Sequence, residues 1–551
     1  MQKENALAKD QSGIVQSELN APGGSPSGLF QYLGDTFWST LSAEVESIKQ
    51  TAHEEDDFGD ENQPLDDEVV DSPSNLTSMP HAYQYPSRAT REKLYDMFFR
   101  NVDPVFKILH QPTVRALVLD GLRMRSDPPA AALSFAIYYA AIATMSEEDC
   151  AEIFEQRKVE IEAQYERLCD AALTHADYVT SDSLETLQAF VIYLAALRRS
   201  DQTRRTWTLL AVAVRSAHAL GIHIEKLSRT SKVFETQQRR RLWHALRVLD
   251  LLVAIDHASD PLVLPNTWDA QLPLDVNDAD LWPDMTVFPA SHSDFTEMTY
   301  SLMTHEIATM SIETHSIQHG TWEDRQANVK SLEDLLSPRY FSRCNETNPL
   351  QRFTVAVGKT NIATLNLHAA RPTKASSKNL DLNCNSEYLL QLACDALSGL
   401  QHCTSDSTNA GWRWSLWPQW HSLAVALAAL CIVQEPGLQE TAWAPVDAAL
   451  HGEKTADYDL YTGKLKGPIS KLATQASKSR KAIVGSSATT SNGLEHTSQH
   501  ELSKSGPGWP LEDMSMDGLL EWENYLVPYL DPFDPLYTDS MGLWRADDFS
   551  T

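Results

Sequence analysis

No C-x-x-C pair occurs anywhere in the 551 residues, and the seven cysteines (Cys150, Cys169, Cys344, Cys384, Cys394, Cys403, Cys431) are scattered and odd in number. Neither a disulfide framework nor a zinc site is indicated, and the thiols read as reduced and mostly buried, as in an intracellular protein. No run of about 18 apolar residues exists, so no membrane-spanning helix is indicated. The start, "MQKENALAKDQSG", lacks the basic-then-apolar pattern of a secretory signal. G-x-S-x-G, a phosphate-binding Walker loop and G-x-G-x-x-G are all missing. His305-Glu306 has no second histidine to complete a zincin helix, and His218, His223 and His257 have no ligand company, so they read as core or surface histidines. Nothing here supports an enzyme, a metal or a cofactor. No internal repeat has a fixed period, and no long alternating pattern suggests strands.

Basic charge is also scarce. Lys and Arg total 45 against 75 Asp and Glu, a formal charge of −30. Residues 1–90 hold 16 acids and 4 bases, and residues 509–551 hold 10 acids and one base. The acid therefore collects at both ends around a nearly balanced body. Binding phosphate backbones needs clustered Lys and Arg, so direct nucleic-acid binding by these residues is disfavoured.

What is present is helix after helix. Residues 1–89 read as an acidic, mostly disordered segment, with ten acids between Glu54 and Asp71 and one helical island at 33–49. From about Thr90 to 455 the pattern is that of an all-α body. In "NVDPVFKILHQPTV", Pro104 and Pro112 predict extended turns. "PAAALSFAIYYAAIATM" (129–145) is apolar nearly all round and too short to span a bilayer, which predicts a central buried helix. Leu184, Leu187, Val191, Leu194 and Leu197 recur at helical spacing behind Asp182, a candidate N-cap with Glu185 three residues on. A following helix carries Trp207, Leu210, Val214 and Ala217, with Gly221 where a C-terminal cap belongs. Further helices fit 297–316, 323–336, 351–369, 386–401 and 414–433. Residues 456–508 read as a flexible Ser/Thr/Gly/Lys linker, within which "SKSRK" (477–481) has the composition of a nuclear import signal, though such pentamers are common.

The stretch "RRRLWHALRVLDLLVAIDHASDP" (239–261) poses the sharpest question. Leu242, Leu246, Leu249 and Val253 form one apolar stripe, with Arg240, Arg247 and Asp250 off it. Arg239–Arg241 then read as the solvated edge of a helix whose Arg stems cover apolar neighbours, rather than as a DNA contact. The loop "DPLVLPNTWDAQLPLDVNDADL" follows. At the other end, residues 509–551 interleave eight aromatics with ten acids, and Pro528, Pro532 and Pro535 forbid a long helix. Such acidic–hydrophobic segments hold aromatics exposed for a partner's apolar groove. A tail folded back on its own body fits equally well.

Taken in order, these blocks resemble the regulatory middle homology domain of fungal zinc-cluster transcription factors, the fungal-specific transcription factor domain. "FFRNVDPVFKILHQPTV" is similar to its first segment, through Asn101, Val102, Pro104, Leu109, His110, Pro112 and Thr113. "FETQQRRRLWHALRVLDLLVAIDHASDP" resembles its most typical block, through Phe234, Glu235, Arg239, Arg240, Arg241, Leu242, Trp243, Leu249, Asp250 and Asp260. "WDAQLPLDVNDADL" resembles the loop after it, through Leu272, Pro273, Asn277, Asp278 and Asp280. The likeness spans roughly residues 90–450. It implies an all-α domain controlling a transcriptional activator in the nucleus, with the triple arginine in the regulatory body and no catalytic, metal-binding or DNA-reading residue. The family's six-cysteine zinc cluster has no counterpart here, since the first cysteine is Cys150; the expectation is a chain that begins just after it. His244 stands where the family often has a second Trp. The resulting reading is a pathway or gene-cluster regulator acting through other regulators or the transcription machinery, as a homo- or heterodimer or alone. Trp522, Tyr525, Tyr529, Phe533 and Trp544 would be its activating residues. A scaffold or repressor that sequesters a full-length paralogue is the competing class, and an all-α enzyme or small-molecule receptor is a distant third.

Overall fold

A computed structural model describes residues 85–480, apart from 120–122, 200–202, 228–231, 258, 317–321, 371–385, 418, 434 and 452–468. The helices are α1 (Arg88–Asn101), α2 (Gln111–Leu119), the single turn α3 (Arg123–Ser126), α4 (Pro128–Ala143), α5 (Glu147–Phe154), α6 (Lys158–His175), α7 (Leu184–Leu197) and α8 (Thr203–Ala219). The 25-residue α9 (Val233–His257) follows, then α10 (Thr299–Ser316), α11 (Trp322–Arg339), α12 (Pro349–Ala369), α13 (Ser386–Ser405), α14 (Trp420–Leu430) and α15 (Pro436–His451). A last helix, α16, covers 469–480. No strand occurs among the described residues, so the all-α expectation holds.

The centre is α4. Two prolines open it, where their missing N–H groups cost nothing. Every residue from Ala130 to Ala143 is buried, and the helix packs against α1, α6 and α7. Its alanines let those neighbours approach closely, while Phe135, Ile137, Tyr138, Tyr139 and Ile142 contribute roughly 1.5–3 kcal/mol each on burial. α7 is capped by Ser183, whose hydroxyl accepts from Thr186 N at 3.4 Å; the sequence pointed one residue too early, to the exposed Asp182. α8 ends at Gly221 as expected: its φ of +65° permits Ile222 N to donate to Ala217 O and Gly221 N to His218 O. Pro112 occupies the second position of α2 rather than an extended turn, since a proline in a first turn loses no hydrogen bond.

The large core runs through α1 to α12 and onto the end of α13, through Leu400 and Cys403. A second core joins Leu390 and Leu397 of α13 to α14, α15 and α16, through Leu423, Leu427, Trp443, Val446, Ile469 and Ala476. α13 belongs to both, and its Gly399 is needed for this: a Cβ there would lie 2.5 Å from Thr360 Oγ1 on α12. Within the flexible linker expected over 456–508, residues 469–480 instead form α16, because Ile469 and Ala476 give that polar stretch one apolar edge to bury; the rest of that span lies outside the described residues. Arg480, within "SKSRK", lies 4.6 Å over Trp443 and 3.1 Å from Asp447.

The 3₁₀ segment Ser407–Ser415 folds back on the start of the body. Trp412 Nε1 donates to Arg100 O at 2.9 Å and Trp414 Nε1 to Asn101 O at 3.2 Å. The six described cysteines are free thiols, four of them buried, and no helix among the described residues is long and apolar enough to cross a membrane.

Candidate regulatory site

One face of α9 carries Gln237, Arg241, His244, Arg247 and Asp250 at steps of 4, 3, 3 and 3, and all five are buried. That spacing is the one a solvated face would have. Here the face is covered by the irregular segment 259–298, and each polar side chain fastens part of it or its surroundings. Gln237 Oε1 accepts from Leu274 N at 2.9 Å, and Asp250 Oδ2 accepts from Val263 N at 2.8 Å. Burial pushes the Asp250 carboxyl up to about 6, although the amides of Val263 and Leu262 pull it down.

The densest part surrounds Asp278. Its Oδ1 accepts from Arg241 Nη1 at 2.7 Å, and its Oδ2 accepts from Lys107 Nζ at 2.7 Å and from Gln111 N at 2.8 Å. Its carbonyl accepts from His110 Nε2 at 3.0 Å, and its own N–H donates to Glu297 Oε2 at 2.8 Å. Lys107 Nζ also donates to Asp103 Oδ2 at 2.6 Å, and Arg241 Nη1 to Leu109 O at 3.1 Å. The side chains of Lys107, Arg241 and Asp278 are 1–3% exposed. Burial alone would raise the Asp278 carboxyl, but Lys107 and Arg241 outweigh it and hold the group well below the usual carboxylate range. At Asp103 burial wins, with Lys107 opposing and Asp278 adding to it, and the carboxyl is pushed up. Burial lowers the pKa of His110, which keeps the ring neutral at pH 7.

The arginine run therefore corrects the solvated-edge expectation. Arg241 is 0% exposed. Arg240 is held by Glu225 and lies 5.7 Å over Phe288, and Arg239 donates to Glu235 Oε1 and Leu220 O, both at 3.0 Å. A hydrophobic stripe locates the apolar face of a helix but is silent on what covers the polar one. Of the other residues singled out from the sequence, Leu242 and Trp243 are in the core and Pro273 is buried in the covering segment. Pro104 is half-buried in the turn after α1, whereas Pro112 and Asp260 are exposed. Trp522, Tyr525, Tyr529, Phe533 and Trp544 lie outside the described residues. Lys107 and Asp103 were missed; their only signal is an acid four residues before a base.

Next along α9, His244 Nε2 donates to the carbonyls of Ala270 and Gln271 at 3.2 and 3.1 Å, while Arg247 Nη1 donates to its Nδ1 at 3.0 Å. Arg247 lies 4.1 Å over Trp268 and donates to Thr309 Oγ1 at 3.0 Å. Burial, then the charge of Arg247, pushes His244 down to about 3. An unfolded histidine titrates near 6.5. The folded state thus binds fewer protons below that pH, and the stability supplied by neutral His244 is present above about 6.5 and lost as pH falls towards 3. Glutamine at 244 keeps a donor for the carbonyls and an acceptor for Arg247 but does not titrate. H244Q should match the parent at pH 7.5 and be about 2 kcal/mol more stable relative to it at pH 5, read from urea unfolding at both pH values. Parallel pH profiles would refute this.

Among the described residues, no group of three or more His, Cys, Asp or Glu could hold a metal ion. The arrangement is a lock: a helix, the segment before α2 and a long covering loop are joined through one carboxylate.

Residues 95–361 match the fungal specific transcription factor domain. The chain is 32% identical over 410 residues to the C6 finger domain transcription factor nscR of Aspergillus fumigatus, covering 70% of this chain and 52% of that protein. It is 28% identical over 494 residues to the C6 finger domain transcription factor adaR of Aspergillus niger, covering 80% and 62%. It is 29% identical over 349 residues to the transcriptional regulator AacuB of Aspergillus aculeatus, covering 60% and 47%. The chain thus spans between about half and two thirds of the length of these curated relatives.

Proposed function

The chain carries a fungal-specific transcription factor domain at residues 95–361, and from that premise we propose that it regulates transcription of a fungal pathway or gene cluster. The observation that carries the reading is the match itself, joined to relatives that are named transcription factors. The helical body serves as the regulatory domain, and residues 509–551 recruit other regulators or the transcription machinery in the nucleus. The geometry supports a body that does not read DNA through its arginine run, because Glu225, Glu235 and Asp278 engage the three guanidinium groups.

The test is a fusion of the chain to a heterologous DNA-binding module, read on a reporter. Activation that disappears on deleting 509–551, and falls when Trp522, Tyr525, Tyr529, Phe533 and Trp544 are changed to serine, supports the proposal. Activation unchanged by both would remove the tail from it. A chain that stays silent in fusion, yet lowers the output of a co-expressed full-length paralogue, would favour the sequestering reading.

A further inference from the structure

Beside the Asp278 lock lies a cleft of about 330 Å³ that shares Leu109 and His110 with it. Small organic ligands occupy clefts of roughly 300–1,000 Å³. This one opens where α2, α3, α4, α7 and α9 converge. Leu109, Leu117, Leu133, Leu184 and Phe234 supply an apolar wall, and Phe234 meets His110 edge-on with ring centroids 4.9 Å apart.

Two features of the remaining lining define the chemistry. First, its charges are already matched. Arg123 donates to both oxygens of Glu185 at 2.8 and 2.9 Å and to Asp127 at 3.2 Å, and Glu235 accepts from Arg239 at 3.0 Å. A ligand carboxylate or phosphate finds no unclaimed cation on this lining. Second, two amides are left short of partners. Gln188 and Gln238 are 5% and 7% exposed, their mutual hydrogen bond is stretched to 3.5 Å, and Gln238 Nε2 has no partner at all. Buried amides are rarely left in that condition.

We propose that this cleft binds a neutral, largely apolar ring compound bearing a hydroxyl or carbonyl group, whose oxygen completes the hydrogen bonding of Gln188 and Gln238. The ligand also touches His110, which holds the Asp278 carbonyl, so its occupancy stiffens the lock. The inference does not rest on the transcriptional reading and is tested without a reporter.

Isothermal titration of the purified full chain with 2-naphthol, and with 2-naphthoate as its anionic counterpart, tests it. The expected result is one naphthol site and naphthoate binding at least roughly tenfold weaker, with naphthol raising the thermal midpoint of unfolding. Gln238→Leu should weaken naphthol roughly tenfold, the scale of one lost hydrogen bond in a buried site. Leu184→Trp, at a half-buried wall position, should block it, and circular dichroism checks that each variant folds. Should Gln238→Leu fail to fold, Leu184→Trp and the naphthoate comparison decide. No naphthol binding at millimolar concentration, equal binding of naphthoate, or unchanged binding by a folded Leu184→Trp variant would overturn the proposal.

Discussion

Asp278→Ala should cost the body about 3–5 kcal/mol, the range for removing one partner of a buried ion pair. The loss is large because Asp278 is the common acceptor: without it Lys107, Arg241 and the N–H of Gln111 all lose a bond inside the protein. Whole domains are stable by only about 5–15 kcal/mol, so the variant should be close to unfolding at growth temperature. Arg241→Met should cost less, about 1–3 kcal/mol. Asp278 then still has Lys107 and Gln111, and Nε and Nη2 of Arg241, which are buried without partners, disappear with the side chain. Urea unfolding of the full chain gives the ranking. An Arg241→Met variant less stable than Asp278→Ala, or an Asp278→Ala variant within about 1 kcal/mol of the parent, would show that the lock is not centred on this carboxylate.

The same cluster shows what the sequence could and could not tell. The helices were legible because a helix buried all round leaves an unbroken apolar run, as in α4, and apolar residues at a 3.6-residue period mark a helix, as in α7 and the apolar stripe of α9; Gly221 caps α8. The polar face of α9 was misread because a solvated face and a buried face paired with a loop have the same period. The distinguishing feature lies elsewhere in the chain, in Lys107 and Asp278, which are 171 residues apart. Resemblance brought His110, Arg241 and Asp278 into one set without saying that they touch. Helix α16, inside the expected linker, was not legible for a related reason: Ile469 and Ala476 are too few to make a pattern, and only the second core supplies their partners. Asp182 and Ser183 are both good caps, and the choice between them depends on which hydroxyl or carboxylate meets a free amide.

Ala136→Glu should have the largest structural effect of any single change. Ala136 is 0% exposed in a helix whose residues 130–143 are all buried. A glutamate there must bring a carboxylate into the packing between α4 and its neighbours. An uncompensated buried charge costs several kcal/mol even after relaxation, and overpacking adds about 1–3 kcal/mol. Together these are comparable with the whole stability of a domain. The expected outcome at pH 7.5 is loss of the near-ultraviolet circular dichroism signal and of the cooperative unfolding transition. Burial raises the pKa of a carboxyl, so part of the fold should return near pH 5, where the group can be neutral. Ser134→Ala on the same helix is the control. Ser134 Oγ donates at 2.8 Å to Ala130 O within the helix itself and also lies within hydrogen-bonding reach of the Tyr138 hydroxyl. Such back-bonding contributes little and one neutral hydrogen bond about 1 kcal/mol, so the change should stay within about 1 kcal/mol. If Ala136→Glu unfolded with the parent's midpoint, α4 would have access to water, and the body could not be organised around it. If it fails as expected while the control does not, the charge is responsible, and the tolerance of this helix is limited by polarity rather than by shape.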